Sequence, residues 1–333
     1  MSTRRFGITI VEVLVVFLII GILMAILLPA IQAARESARR VQCASNLRQV
    51  ALAVQTYEQA QRRIPSLYNG PYGNEIAGIE AFYLHSWHAL ILPQLEETPL
   101  YQQLDFSKMA SHVDNGPAIA TRLPVYICPS ATRSQELLDG IRSDIPPWPL
   151  VSPIPPSSAT VSAAVTDYQA TVGVVWGPRP SAQAERMVHF GAWGEPLGDF
   201  NYDTVTHWKG TRDLRFVHVQ DGLSHTMLIC EAAGRPDRIR TGEHWYPYNL
   251  TAEDDRYAGF EASTWALSSY YYWLLIYQYE GHSGVNVANF SETFYSFHPQ
   301  GSHVAMCDGS VQFSAEDTHF TILQAQVSRD RGD

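Results

Sequence analysis

Lysine is nearly missing from this sequence. Of 333 residues only Lys108 and Lys209 are lysine, and Asp, Glu, Lys and Arg together make up 17%. The formal charge of −10 is unevenly spread: seven Arg against three Glu give residues 1–62 a net +4, which leaves −14 on residues 63–333. A nucleic-acid-binding domain carries the opposite sign on its folded part, so no nucleic acid is expected as a partner. Hydrolase and metalloenzyme signatures are missing as well. There are twelve histidines but no HExxH, and the pairs His85/His88 and His298/His303 do not make a set of three or four ligands. No G-x-S-x-G occurs, and adjacent Ser224 and His225 after Asp221 say little, because triads are assembled from residues distant in the chain. No enzyme and no resident metal or cofactor are expected. "DFNYD" (199–203) opens like a calcium loop, but Thr204 stands where a glycine is needed and Gly210 where the closing Glu belongs.

The four cysteines, Cys43, Cys128, Cys230 and Cys307, include no CxxC pair, so neither a zinc ribbon nor a thioredoxin-type motif is supported. Outside the cytoplasm they allow three disulfide connectivities; buried free thiols are the alternative.

What the chain has in abundance is apolar sequence at its start. Val13 to Ala34 is a run of 22 uncharged residues, long enough to cross a bilayer as a helix. Arg4 and Arg5 precede it, as expected for an N-terminus kept inside, although Arg35, Arg39 and Arg40 flank the other end. One carboxylate, Glu12, interrupts the apolar stretch near its start, at a cost of about 3 kcal/mol on insertion scales. Beyond it, Ala38, Val41, Ala44, Leu47, Ala51, Val54 and Tyr57 recur at three- and four-residue steps with no Pro or Gly until Pro65. The spacing predicts one helix from Ile8 to about Arg62: a membrane span over 8–34, kinked at Pro29, and an amphipathic continuation over 35–62.

Residues 63–333 have a different texture. "HSWHALILPQLEETPLYQQLDF" (85–106) reads as a helix bent at Pro93, "RLPVYICPSAT" (122–132) as a short strand, and "PPWPLVSPIPP" (146–156) as a stiff surface loop. "DYQATVGVVWG", "LRFVHVQDGLSHTMLICEAAG" and "FHPQGSHVAMCDGSVQF" are strand-like, the last a hairpin around a two-residue Asp308-Gly309 turn of type I′. The expected fold is α+β, with the N-terminal helix packed on an antiparallel β-sheet domain. Eight Trp and seventeen Tyr, clustered as in "SYYYWLLIYQY" (269–279), suit either a sheet core or a sugar- or peptide-binding face.

"GITIVE", Gly7 through Glu12 after Arg4-Arg5, resembles the class III leader of type IV prepilins and type II secretion pseudopilins. The resemblance implies a leader over 1–7, cleavage between Gly7 and Ile8 by a prepilin peptidase, and N-methylation of Ile8. It also implies that Glu12 pairs with the new amino group of a neighbouring pilin or pseudopilin subunit, and that Pro29 is the family's kinking proline. A departure is Ile8 where Phe is usual. "CASNLRQ", "SWHALILPQLE", "YICPS", "QDGLSHTMLICE" and "SFHPQGSHVAMCDGSVQF" further resemble the planctomycete-type family of prepilin-like proteins of unknown function with a C-terminal H-X9-DG domain. Here that motif is His298, Asp308 and Gly309. The resemblance implies a pilin-like, single-pass protein of the inner (cytoplasmic) membrane, N-terminus in the cytoplasm and residues 63–333 periplasmic or extracellular. Some pseudopilins bind structural calcium, so a calcium site not of EF-hand type stays open. Cys230 and Cys307 stand where that family has small residues other than cysteine, which suggests a Cys230–Cys307 disulfide between neighbouring strands. His298 is expected to tie its loop to the Asp308 turn. The competing function is a membrane-tethered ligand-binding module.

Overall fold

The structure, a computed structural model, describes residues 10–66, 85–142, 159–176, 187–190, 192–193, 214–235, 237, 239–240, 243–244, 264–267, 273–277, 284–287, 289 and 294–328. Gly7, Ile8, the "DFNYD" stretch and the proline-rich segment at 146–156 lie outside them.

The uninterrupted run of helix formers yields α1 (Ile10–Gln61), a single helix of 52 residues, about 78 Å long at 1.5 Å per residue. It continues through Pro29, whose ring removes one intrahelical hydrogen bond without ending the helix. It stops at Arg62, which takes a positive φ of 59° three residues before Pro65. Residues 10–35 are exposed all round, and α1 is the one helix among the described residues long and apolar enough to cross a membrane. From Cys43 onward one face is buried: Cys43, Asn46, Leu47, Val50, Ala51, Val54 and Tyr57. The predicted amphipathic stripe holds at Leu47, Ala51, Val54 and Tyr57, whereas Val41 is 67% exposed.

The domain under this helix is α+β. β1 (Leu137–Arg142) pairs with β2 (Thr160–Ala164). The main sheet contains β3 (Tyr168–Trp176), β4 (Met187–Phe190) and β5 (Met227–Glu231). Two short strands, β6 (Ile239–Arg240) and β7 (Glu243–His244), pair apart from it. β8 (Trp273–Tyr277), β9 (Gly301–Met306) and β10 (Val311–Ala315) complete it in the order β10-β9-β5-β3-β4. All pairings are antiparallel except that of β8 with β3. β5 and β9 are buried along their whole length, because both faces of the sheet are covered. α1 packs on one face. On the other lies the last described helix, Phe320–Val327, whose Phe320, Leu323 and Val327 cluster with Met227, Cys230, Val304 and Met306. A register shift between Met227 and Ile229 turns Leu228 and Ile229 to the α1 side, as an extra residue in one strand does.

Tertiary packing changes several local readings. Residues 85–106 form three short helical turns, Trp87–Leu90, Leu92–Leu95 and Thr98–Tyr101, rather than one bent helix. Two prolines and a left-handed Glu96 divide them. "RLPVYICPSAT" holds a 3-10 turn at Pro124–Tyr126 instead of a strand. The β9–β10 connection is a three-residue turn, with Met306 N–H donating to Ser310 O at 2.8 Å and Gly309 N–H to Met306 O at 2.9 Å. Within it only Gly309 has positive φ, 80°, which is a type I turn closed by a left-handed glycine rather than type I′. A Cβ on Gly309 would sit 3.3 Å from Leu52 Cδ2 on α1. Gly309→Ala is therefore expected to cost about 1–3 kcal/mol, read as a lower melting temperature, whereas Asp308→Ala, at an exposed position, leaves it nearly unchanged.

His85 and His88 belong to this framework. Their Nε2–H groups donate to Lys108 O at 3.1 Å and Tyr168 O at 2.9 Å. Burial holds the two imidazoles down to about 4 and about 3, respectively. Unfolded, each titrates near 6.5. Below that pH the unfolded chain binds more protons than the folded one, so stability falls on acidification. The expected slope is about 1.4 kcal/mol per pH unit per histidine down to pH ~4. Melting curves between pH 7 and 4.5 check this, because His88→Gln should remove close to one proton's worth of the slope.

Candidate functional site

The lower part of α1 is pinned to the domain at a buried junction, and four separate segments build it. α1 contributes Glu36 and Cys43. The turn after Pro124–Tyr126 brings Cys128, the end of β5 brings Glu231, and the loop entering β9 brings His298. Cys43 and Cys128 are joined as a disulfide, with Cα atoms 5.1 Å apart and a sequence separation of 85. The two sulfurs, a Glu231 oxygen and a His298 ring nitrogen all lie within 4.8 Å of one another, and all four residues are buried.

His298 sits between two carboxylates. Its Nδ1 is 2.8 Å from Glu36 Oε1, and its Nε2 is 3.6 Å from Glu231 Oε1 and 3.5 Å from Cys128 Sγ. Burial alone would lower the His298 pKa, but Glu231 and Glu36 outweigh it and raise it. Burial likewise opposes ionisation of Glu231, yet the neighbouring His298 and His303 hold its carboxyl down to about 2. Glu231 Oε2 accepts from His303 N–H at 2.7 Å and Ser302 Oγ–H at 3.1 Å. Its Oε1 has no partner at hydrogen-bond distance among the described residues. Glu36 is lowered in the same way: burial raises it, and His298, Arg39 and Ser130 more than offset that.

A second buried charge props the junction. Asp167 accepts from Cys128 N–H at 2.8 Å, from Gly234 N–H at 2.9 Å, and from the Arg133 guanidinium. It thus fixes the Cys128 turn against the segment following β5. Burial raises the Asp167 pKa despite Arg133. Along α1 the clasp extends both ways from Cys43. Arg40 lies 3.5 Å over the Phe313 ring, Asn46 Nδ2 donates to Ile127 O at 3.0 Å, Gln55 Nε2 to Cys307 O at 2.8 Å, and Arg215 pairs with Glu58 at 2.9 Å. Both ends of the 298–309 segment therefore meet α1, His298 at Glu36 and Gly309 beside Gln55 and Leu52.

Two expectations are corrected. Cys230 and Cys307 are free buried thiols. Cys230 pairs opposite Val304 and faces the C-terminal helix, whereas Cys307 lies in the cluster on the α1 side, so the strands hold them on opposite faces. His298 does not reach the Asp308 turn; Asp308 Oδ1 accepts instead from Ser310 N–H at 2.8 Å, at the far end of β9. Glu12 and Pro29 lie in the exposed half of α1, away from the junction. Glu36, Arg133, Asp167 and Glu231 were not singled out by sequence; Cys43 and Cys128 were named only within three open disulfide connectivities, and His303 only as the companion of His298. The available signal was that Cys43, Cys128 and Glu231 fall within "CASNLRQ", "YICPS" and "QDGLSHTMLICE".

No curated protein and no solved structure matches this chain. A family model described as "Protein of unknown function (DUF1559)" matches residues 32–321, a span containing every junction residue, and the chain belongs to that family.

Proposed function

We propose that the protein is a prepilin-like structural subunit without catalytic activity. A prepilin peptidase would cut it between Gly7 and Ile8, Ile8 would be N-methylated, and the mature chain would assemble with other pilin or pseudopilin subunits. Assembly would run through the membrane half of α1, into a pilus or type II secretion pseudopilus. In this reading the N-terminus begins in the cytoplasm, α1 crosses the inner membrane, and the domain lies outside. The disulfide suits an oxidising compartment on that side.

The observation that carries the reading is the build of α1. One continuous helix is exposed on all sides over residues 10–35 and then clasped at Glu36, Cys43, Gln55 and Glu58. A tether for a binding module needs only an apolar anchor and a linker. A rigid helix that is an integral part of the domain suits a subunit whose helices pack side by side and carry their domains in register. Glu12 adds to this, since a carboxylate at membrane depth is tolerable when it meets an opposite charge.

Glu12→Ala is expected to leave membrane insertion intact and to abolish cross-linked oligomers in native membranes. Assembly unchanged by Glu12→Ala would sink the subunit reading and favour the tethered binding module. Intact mass and N-terminal sequencing test processing separately: a chain starting at methylated Ile8 is expected.

A further inference from the structure

We propose that in its dithiol state the junction is a zinc site, with Cys43 Sγ, Cys128 Sγ, His298 Nε2 and Glu231 Oε1 as the four ligands. This does not depend on the assembly reading.

Two thiolates, an imidazole and a carboxylate are a donor set that zinc takes tetrahedrally. A tetrahedron with bonds of 2.0–2.3 Å has edges of about 3.3–3.8 Å. Two edges are already in place: His298 Nε2 is 3.5 Å from Cys128 Sγ and 3.6 Å from Glu231 Oε1. The separate observation is Glu231 itself. The residue is fully buried, Oε2 has two donors, and Oε1, turned toward the sulfurs and the imidazole, has no hydrogen-bond partner among the described residues. A buried carboxylate oxygen is costly unless something positive meets it closely, and here the nearest such group, His298 Nε2, stands at 3.6 Å, beyond hydrogen-bond distance. Glu36 supplies the outer partner of a metal-bound histidine. Its contact with His298 Nδ1 at 2.8 Å fixes that proton and turns the Nε2 lone pair toward the sulfurs. Burial of all four ligands leaves no open position for substrate, so the site is structural.

The two states exclude each other. In the dithiol state Zn2+ replaces one proton on each thiol, and two protons leave to solvent. When a disulfide oxidant acts, the two thiolates give up two electrons and form the Cys43–Cys128 bond. The oxidant's disulfide takes those electrons with two protons and becomes a dithiol, and Zn2+ departs because neither sulfur retains a thiolate charge. Since Cys43 lies on α1 and the other three ligands on the domain, either state clasps the helix.

The test uses the full chain in detergent. A phosphine reduces the disulfide: water supplies the oxygen of the phosphine oxide and the hydrogens of the two thiols. After phosphine removal the protein is titrated with Co2+, then Zn2+. Expected are one cobalt per chain, a thiolate-to-cobalt charge-transfer band with tetrahedral d–d bands, displacement by zinc, and metal release when a disulfide oxidant is added. Glu36→Gln should keep the spectrum and weaken affinity by about 10–100-fold. Reduced protein that keeps its circular dichroism and binds no cobalt overturns the proposal. So does equal binding by Cys43→Ser/Cys128→Ser. If reduction unfolds the domain, one zinc per chain must restore the native spectrum, and failure to do so is equally fatal.

Discussion

Cys128→Ser is expected to lower the melting temperature of the oxidised, metal-free protein by roughly 10–15 °C. The Cys43–Cys128 bond closes a loop of 85 residues. On the chain-entropy relation such a loop withholds about 4.5 kcal/mol of freedom from the unfolded state, and a large domain loses about 2–4 °C per kcal/mol. The loop ties α1 to the domain, so its loss frees the helix as well as the chain between. Phosphine reduction of the wild-type protein should reproduce most of the shift. Cys230→Ala removes only a buried thiol on the opposite face of the sheet and should cost about 1 kcal/mol. Equal melting of oxidised and reduced wild-type protein would show that the bond contributes nothing.

The second large effect is expected at Arg133. Its side chain is 4% exposed and pairs with Asp167, which is fully buried. Removing one partner of such a pair strands a buried charge and costs about 3–5 kcal/mol. Asp167 holds the backbone N–H groups of Cys128 and Gly234, so Arg133→Ala should also expose the junction. The checks are urea unfolding and faster amide exchange at Cys128 and Gly234. Replacing the exposed Arg122–Glu136 pair, 2.9 Å apart with both side chains about half exposed, should cost well under 1 kcal/mol. If Arg133→Ala and Arg122→Ala behaved alike, the buried pair would not be the prop described.

Features that depend on local chain chemistry were legible in the sequence. The apolar run, the absence of Pro and Gly from Arg35 to Arg62, and Pro65 beyond them fix a long helix whatever surrounds it. Alternating residues and the Asp308-Gly309 pair mark β9 and β10. The local chemistry of "RLPVYICPSAT" favours a strand, and packing beside the junction makes it a turn that delivers Cys128. The hairpin was legible but its turn type was not, because Gly309 also has to pass close to Leu52, a residue more than 250 positions earlier.

The sequence by itself therefore determined the membrane-length helix, the change of texture after Pro65, the α+β class and the position of the hairpin. Each follows from propensities and periodicities acting over a few residues. Only the tertiary structure decided which cysteines meet, where His298 points, and that Glu231 and Asp167 are buried. The Cys43–Cys128 disulfide joins α1 to a turn and the Arg133–Asp167 pair joins two residues outside the strands, so both depend on how distant segments pack, whereas the faces taken by Cys230 and Cys307 depend on strand register. A single register shift at Leu228 exchanges those faces, and no short-range pattern in the chain records it.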